Sequence, residues 1–164
     1  MNLLFYISAL VAGISTLLVI TRTNAVHALL YLIASLLAVA LIFFSLGAPF
    51  VAALEVIIYA GAIMVLFVFV IMMLNLGAQA SRKESQFLTP GIWAGPSFLM
   101  AILAFELIYA VTVDRERLSA AGLVGPKEVG IALFGPYVLG VELASMLLLA
   151  GLIGAYHLGR PHKH

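Results

Sequence analysis

The stretch from Glu55 to Leu74 reads EVIIYAGAIMVLFVFVIMML and decides the fold. Glu55 is its only charged residue, and every other position holds an apolar or aromatic side chain or a glycine. An α-helix rises about 1.5 Å per residue, so a run of this length covers the hydrocarbon core of a bilayer, which is about 30 Å thick. The stretch therefore predicts a helix that crosses a membrane.

The composition extends this prediction to the whole chain. Of its 164 residues, 65% are hydrophobic and only 9% are charged, whereas soluble domains have about 25% charged residues. These values exclude a soluble fold, a disordered chain and a nucleic-acid-binding protein. The chain has no cysteine, which excludes disulfides and thiolate ligands. Long apolar runs without alternating polarity predict helices rather than a β-barrel, so we expect an all-α membrane protein.

Charged residues and turn residues divide the chain into five predicted spans. Residues 1–21 are uncharged, and Gly47-Ala48-Pro49 splits the next apolar stretch, because proline does not continue a helix. Polar connections are expected at 81–86 and 114–128. They are too short for a second fold, so residues 1–164 are predicted to form a single transmembrane domain. The predicted transmembrane helices lie near 1–21, 26–46, 50–75, 92–112 and 134–157.

The orientation in the membrane is predicted from lysine and arginine, which are enriched in cytoplasmic loops. Five of these residues fall on one side of the predicted topology and three on the other. The excess favours a periplasmic N-terminus and a cytoplasmic C-terminus. The five are Arg22, Arg82, Lys83, Arg160 and Lys163, and the three are Arg115, Arg117 and Lys127.

Three acids lie inside predicted spans: Glu55, Glu106 and Glu142. A charged residue at the centre of a span costs about 2.5–3.5 kcal/mol on insertion scales, and such residues often belong to proton or ion paths. Each lies roughly 8–10 Å from the end of its span at 1.5 Å per residue, and the predicted topology places all three in the outer half of the bilayer.

The residues around each acid suggest different roles. Glu55 is equally consistent with a proton path and with a structural anchor. Glu106 has only Tyr109 as polar company on its own helix, which favours an anchor. Glu142 is followed by Ser145 and lies among small residues that predict tight helix packing, which favours a packing or network role. The small residues are Gly140, Ala144, Gly151 and Ala155.

The third span also contains a potential weak point. Glu55 and Tyr59 are four residues apart and share a helical face, so the phenol could donate to the carboxylate directly or through water. Gly61 follows, and a glycine inside a helix costs about 1 kcal/mol relative to alanine. From composition, close packing against a neighbouring helix is the favoured explanation, and a local break or π-bulge is the alternative.

Three stretches of the chain resemble one family. They are residues 55–74, NAVHALLYL at 24–32 and LFGPYVLGVELASMLLLA at 133–150. All three are similar to the subunit J family of bacterial NADH:quinone oxidoreductase, respiratory complex I, whose mitochondrial and chloroplast counterparts are called subunit 6. The resemblance covers nearly the whole chain and is weakest at 78–130.

The resemblance implies a multi-pass subunit of the bacterial inner membrane, in the membrane arm of the complex and beside subunits A, H, K and N. It implies an enzyme subunit without redox chemistry of its own, because the flavin, the iron–sulfur clusters and the quinone belong to other subunits. No catalytic residue, cofactor, metal site or homo-oligomer is expected of this chain.

The resemblance also implies a function for the third span. In this family that helix has a π-bulge around residues 59–61, and its rotation opens and closes a water path that couples quinone reduction to proton pumping. This shifts the interpretation of Gly61 from packing to a bulge, and Glu55 with Tyr59 become the leading proton-path candidates. The expected gate residues are Tyr59, Ala60, Gly61, Ala62, Ile63, Met64, Val65 and Phe67. A non-conducting assembly scaffold and a stand-alone secondary transporter are the alternative functions.

Overall fold

The computed structural model describes residues 3–74, 90–112 and 124–160, and every regular element in these ranges is a helix. The helices up to α5 form one unit, and α6 and α7 form a second. The connection expected at 81–86 and residues 114–123 of the next one lie outside the described residues. The elements are α1 (Leu3–Thr21), α2 (Ala25–Ser45), α3 (Pro49–Leu54), a π-helical segment (Glu55–Ile63), α4 (Met64–Leu74), α5 (Pro90–Thr112), α6 (Pro126–Phe134) and α7 (Val138–Gly159).

Five stretches of the described residues are long and apolar enough to cross a membrane. The all-helical membrane fold with five candidate spans is therefore confirmed, whereas the orientation inferred from lysine and arginine stays a prediction. The spans are Leu3–Thr21, Ala25–Ser45, Pro49–Met73, Trp93–Thr112 and Val138–Gly159.

The turns between the first three spans use the residues expected of them. At the start of α2, the Asn24 side chain accepts a hydrogen bond from the Val26 N–H at 3.0 Å and caps the helix. Between α2 and α3, Gly47 has a φ of 83°, which glycine adopts at little cost. Pro49 follows as the first residue of α3, where its missing N–H is not needed.

Helices α1, α2 and α5 pack around the core of the first unit. Residues Ala34 and Ala38 of α2 are fully buried, and such small side chains let helix backbones approach closely in a membrane. A polar contact joins α1 to α2, because the Thr16 and Ser35 hydroxyls lie 2.9 Å apart. The buried core cluster comprises Val11, Tyr31, Ala38, Leu41, Leu99 and Leu103.

The second unit corrects the predicted start of the fifth span. The sequence predicted a helix from about 134, but α7 begins at Val138, after a turn at residues 135–137. Pro136 has no N–H to donate, and the chain turns instead with the Tyr137 N–H bonded to the Ala132 carbonyl at 3.1 Å. The short helix α6, which precedes this turn, was not predicted. The small residues singled out on α7 are exposed.

Candidate functional site

The third span changes its hydrogen bonding in the middle. The Glu55 N–H still points to the carbonyls of Val51 and Ala52, whereas the Met64 N–H points to those of Tyr59 and Gly61. The bond from Met64 to Tyr59 reaches five residues back, which defines a π-helix. One additional residue is thus accommodated, and each side chain that follows is displaced around the helix axis by about 100° from its position in a continuous α-helix.

Gly61 lies close to the backbone of the preceding turn. A Cβ atom added to Gly61 would stand 3.2 Å from the Val56 carbonyl oxygen, which belongs to the residue five positions earlier. A side chain at position 61 would therefore require the Val56 carbonyl to shift by a few tenths of an ångström. Close packing against another helix, the explanation favoured by composition, does not describe this contact, because the nearest atom belongs to the same segment.

Glu55 and Tyr59 occupy the first half of the π-helical segment. Glu55 is partly buried and the Tyr59 ring is about half exposed. Within the described part of the chain no hydrogen bond joins the Glu55 carboxylate to the Tyr59 hydroxyl directly. The two groups share one segment, so any movement of its backbone displaces both.

The remaining predicted gate residues lie around the end of the π-helical segment. Ala60, Gly61 and Ile63 are partly buried and Ala62 is exposed. Met64, the first residue of α4, is only 3% exposed, whereas residues 65–70, which include Val65 and Phe67, are each 44–63% exposed. Met64 thus faces the bundle, and the side chains after it face outward from this chain.

Glu106 has a more enclosed environment than its own helix indicated. Its side chain is 5% exposed, and the fully buried Ser8 on α1 donates a hydrogen bond to Glu106 Oε2 at 2.9 Å. The other carboxyl oxygen, Oε1, is buried and has no hydrogen-bond partner among the described residues. The hydrogen-bond partner of Glu106 thus comes from another span, which the residues of its own helix could not indicate.

An apolar groove of about 570 Å³ lies between α2, the third span and α5. Val56 on one wall is the neighbour of Glu55, and Leu103 and Leu107 on another wall flank Glu106 on its helix. The groove therefore lies at the depth of both acids. Its remaining lining residues are Leu37, Ala40, Leu41, Phe44, Pro49, Ala52, Ala53, Met100 and Ala104.

Glu142, the third acid, is on α7 in the second unit. Its side chain is exposed, and the Ser145 hydroxyl donates to the Glu142 backbone carbonyl at 2.8 Å rather than to its carboxylate. Glu142 belongs to a different unit from Glu55 and Glu106, so the common depth expected for the three acids stays a prediction. In the described ranges no group of three or more histidine, aspartate or glutamate residues is arranged to hold a metal ion.

The pairing of Ser8 with Glu106 was missed although depth could have suggested it. Ser8 lies near the start of the first span and Glu106 near the end of the fourth, which run in opposite directions in the predicted topology. Both residues therefore lie roughly 8–9 Å from the same membrane surface. Serine is uncharged, so the pattern of charged residues gives no indication of it.

Comparisons with known proteins give a consistent result along the chain. The sequence profile of the family described as NADH-ubiquinone/plastoquinone oxidoreductase chain 6 matches residues 15–158. NADH-quinone oxidoreductase subunit J of Pseudomonas aeruginosa is 60% identical, over 98% of this chain and 97% of that protein. The protein of that name from Escherichia coli strain K12 is 57% identical, over 99% and 89%. That of Buchnera aphidicola subsp. Schizaphis graminum is 54% identical, over 99% and 100%.

Proposed function

Because this chain belongs to the chain 6 and subunit J family of NADH-quinone oxidoreductase, and is thus a multi-pass membrane subunit of that enzyme complex, we propose that its third span gates a proton path. The observation that carries the proposal is the π-helical segment that begins at Glu55 and contains Gly61. An acid and a locally weakened helix occur there in the same nine residues, inside a membrane span.

The moving part is the hydrogen-bond register of this segment. Conversion of the π-helical turn to α-helix rotates everything beyond it by about 100°. Met64 leaves the bundle, and Val65 or Phe67 takes a new position against the neighbouring helix. Both registers keep nearly every backbone group bonded, which a segment surrounded by lipid requires.

The rotation controls water beside Glu55. Apolar side chains in a narrow passage exclude water, and protons cannot hop through a dry passage. The groove next to Val56 has an apolar lining and a volume of about 570 Å³, room for on the order of twenty waters at about 30 Å³ each. In one register the groove is dry, and in the other it carries water to Glu55 and Tyr59. Quinone reduction switches the register and thereby controls proton passage.

The surroundings of the chain are part of the proposal. We place it in the membrane arm beside subunits A, H, K and N, in the bacterial inner membrane, with a periplasmic N-terminus and as a single copy. The flavin, the iron–sulfur clusters and the quinone are held by other subunits, and this chain contributes no redox group. Its many exposed apolar side chains, such as Phe67 and Phe69 on α4, suit contact with lipid and with such neighbours.

Replacing Glu55 with glutamine tests the proton path. Glutamine keeps the size and hydrogen bonding of the side chain but cannot release a proton. We expect the complex to assemble, while the protons pumped per NADH oxidised by membrane vesicles fall roughly tenfold or more, as expected from loss of a positioned acid–base group.

Glu128→Gln is the matched control. Glu128 accepts a hydrogen bond from the Gly125 N–H at 3.0 Å at the start of α6, and glutamine preserves that acceptor. We expect this variant to pump normally. If Glu55→Gln also assembles and pumps normally, the subunit is an assembly scaffold and the proposed path is wrong.

A further inference from the structure

Glu106 occupies a position that the packing of α5 assigns to an apolar residue. The buried residues Leu99, Leu103 and Ala110 lie seven and three residues before it and four after it, on one face of the helix. Glu106 belongs to the same buried face and packs against α1 through Ser8. An acid in such a position needs a neutralising partner, a proton, or both, because an unpaired buried charge is strongly destabilised.

Lysine and arginine are absent from helices α1, α2 and α5, which pack together here and whose one ionisable base is His27 near the start of α2. Among the described residues, the partner that opposes the charge of a carboxylate at position 106 is the Ser8 hydroxyl dipole. A bound proton would remove the cost of burying that charge.

The hydrogen bond from Ser8 determines where that proton lies. With the Ser8 hydroxyl as the donor to Oε2, Oε2 acts as the carbonyl oxygen of the neutral acid and Oε1 carries its hydrogen. Oε1 is buried and has no partner among the described residues. A buried O–H donor without an acceptor costs about 1–3 kcal/mol, and an internal water is the usual means by which proteins avoid this cost.

We propose that Glu106, held by Ser8, is a second proton-binding site, which presents its proton on Oε1 to an internal water and takes part in proton translocation. The inference rests on the proposed function only in assuming that protons pass this subunit. Leu103 and Leu107, on either side of Glu106, line the same groove as Val56 beside Glu55. Water in this groove would therefore lie beside the helical neighbours of both acids.

Infrared spectra of the assembled complex test the proton and the water directly. Glu106→Gln should remove one carbonyl band of a protonated carboxylic acid. Ser8→Ala should move that band to higher frequency, because the carbonyl oxygen loses a hydrogen bond. Transfer to heavy water should lower its frequency as the acid hydrogen exchanges. Glu142→Gln, which changes an exposed acid, should leave the band unaltered.

Proton pumping by the same complexes tests participation. Glutamine accepts the Ser8 hydrogen bond and donates to the water, so Glu106→Gln preserves the structural contacts and removes only the titratable proton. We expect the complex to assemble normally. The number of protons pumped per NADH oxidised should fall roughly tenfold or more.

Three results would overturn the proposal: no band lost in Glu106→Gln, a band insensitive to heavy water, or normal pumping by Glu106→Gln. The infrared results do not depend on movement of the π-helical segment. Failure of the gate would thus leave the band present, whereas failure of this proposal would leave the effects of Glu55→Gln intact.

Discussion

Valine at position 61 is expected to abolish most NADH-driven proton pumping while the complex still assembles. The Cβ atom alone would lie 3.2 Å from the Val56 carbonyl oxygen, and the two methyl groups of valine add further contacts. Overpacking of this kind costs about 1–3 kcal/mol, which changes the ratio of two conformations by about 5- to 150-fold. The contact destabilises the π-helical register and not the α-helical register. The π-helical state therefore becomes too rare to support turnover.

The measurement is the number of protons pumped per NADH in membrane vesicles, together with the rate of quinone reduction. Gly61→Ala should give a smaller loss than Gly61→Val, because alanine adds only the Cβ atom. The matched control is Gly13→Val, which introduces the same side chain at a glycine of α1 where an added Cβ atom meets nothing within 4 Å, and this variant should pump nearly as the wild type does. Unchanged pumping and unchanged coupling in Gly61→Val would show that the register of this segment is irrelevant.

The second large effect is expected at Gly95 of α5 and concerns assembly. A Cβ atom at this position would overlap the hydroxyl oxygen of Tyr31 on α2. The Tyr31 ring is 5% exposed and the Arg22 guanidinium carbon lies 5.5 Å from its centre, so the ring has little freedom to move away. We expect Gly95→Ala to destabilise the subunit by about 1–3 kcal/mol, a large part of the stability of a typical domain.

Removal of the hydroxyl group should reverse this effect. In Gly95→Ala combined with Tyr31→Phe, the nearest ring atom would be Cζ at 3.4 Å, close to an ordinary contact. The readouts are the amount of assembled complex in membranes and its melting temperature in detergent. Gly13→Ala is the matched control, because a Cβ atom there meets nothing within 4 Å. The predicted contact is absent if Gly95→Ala is as stable as Gly13→Ala, or if Tyr31→Phe does not restore assembly.

The sequence was sufficient for the number of spans because the bilayer imposes a length and a composition on each one. Gly47 and Pro49 predicted the turn correctly, because glycine adopts a positive φ and proline does not continue a helix. The predicted start of α7 was wrong by four residues, because apolar residues continue through Phe134. Hydropathy alone does not distinguish a short helix followed by a turn from the start of a span.

Composition was a poor guide to the third span. It favoured packing at Gly61, because small residues in membrane helices usually serve close helix contacts. The Val56 carbonyl that Gly61 accommodates is visible only when the backbone hydrogen bonds are known. The resemblance to complex I subunits directed attention to this segment, whereas residue type alone did not.

Glu106 illustrates a different limit. Helical spacing identifies neighbours on one helix, and on that basis Tyr109 was its only polar company. The contact with Ser8 spans 98 residues of sequence and depends on how α1 and α5 pack, which periodicity does not reveal. Depth in the membrane relates distant residues, and it is a useful additional criterion for polar side chains of any charge.

The most direct test of the gate is the structure of the third span in the assembled complex, determined at rest and during turnover. The account predicts that the Met64 N–H bonds to the Tyr59 carbonyl in one state and to the Ala60 carbonyl in the other. Side chains from Val65 to Phe69 should then be rotated by about 100° between the states, with water beside Glu55 in only one of them. The same hydrogen bonds and the same hydration in every state would contradict it.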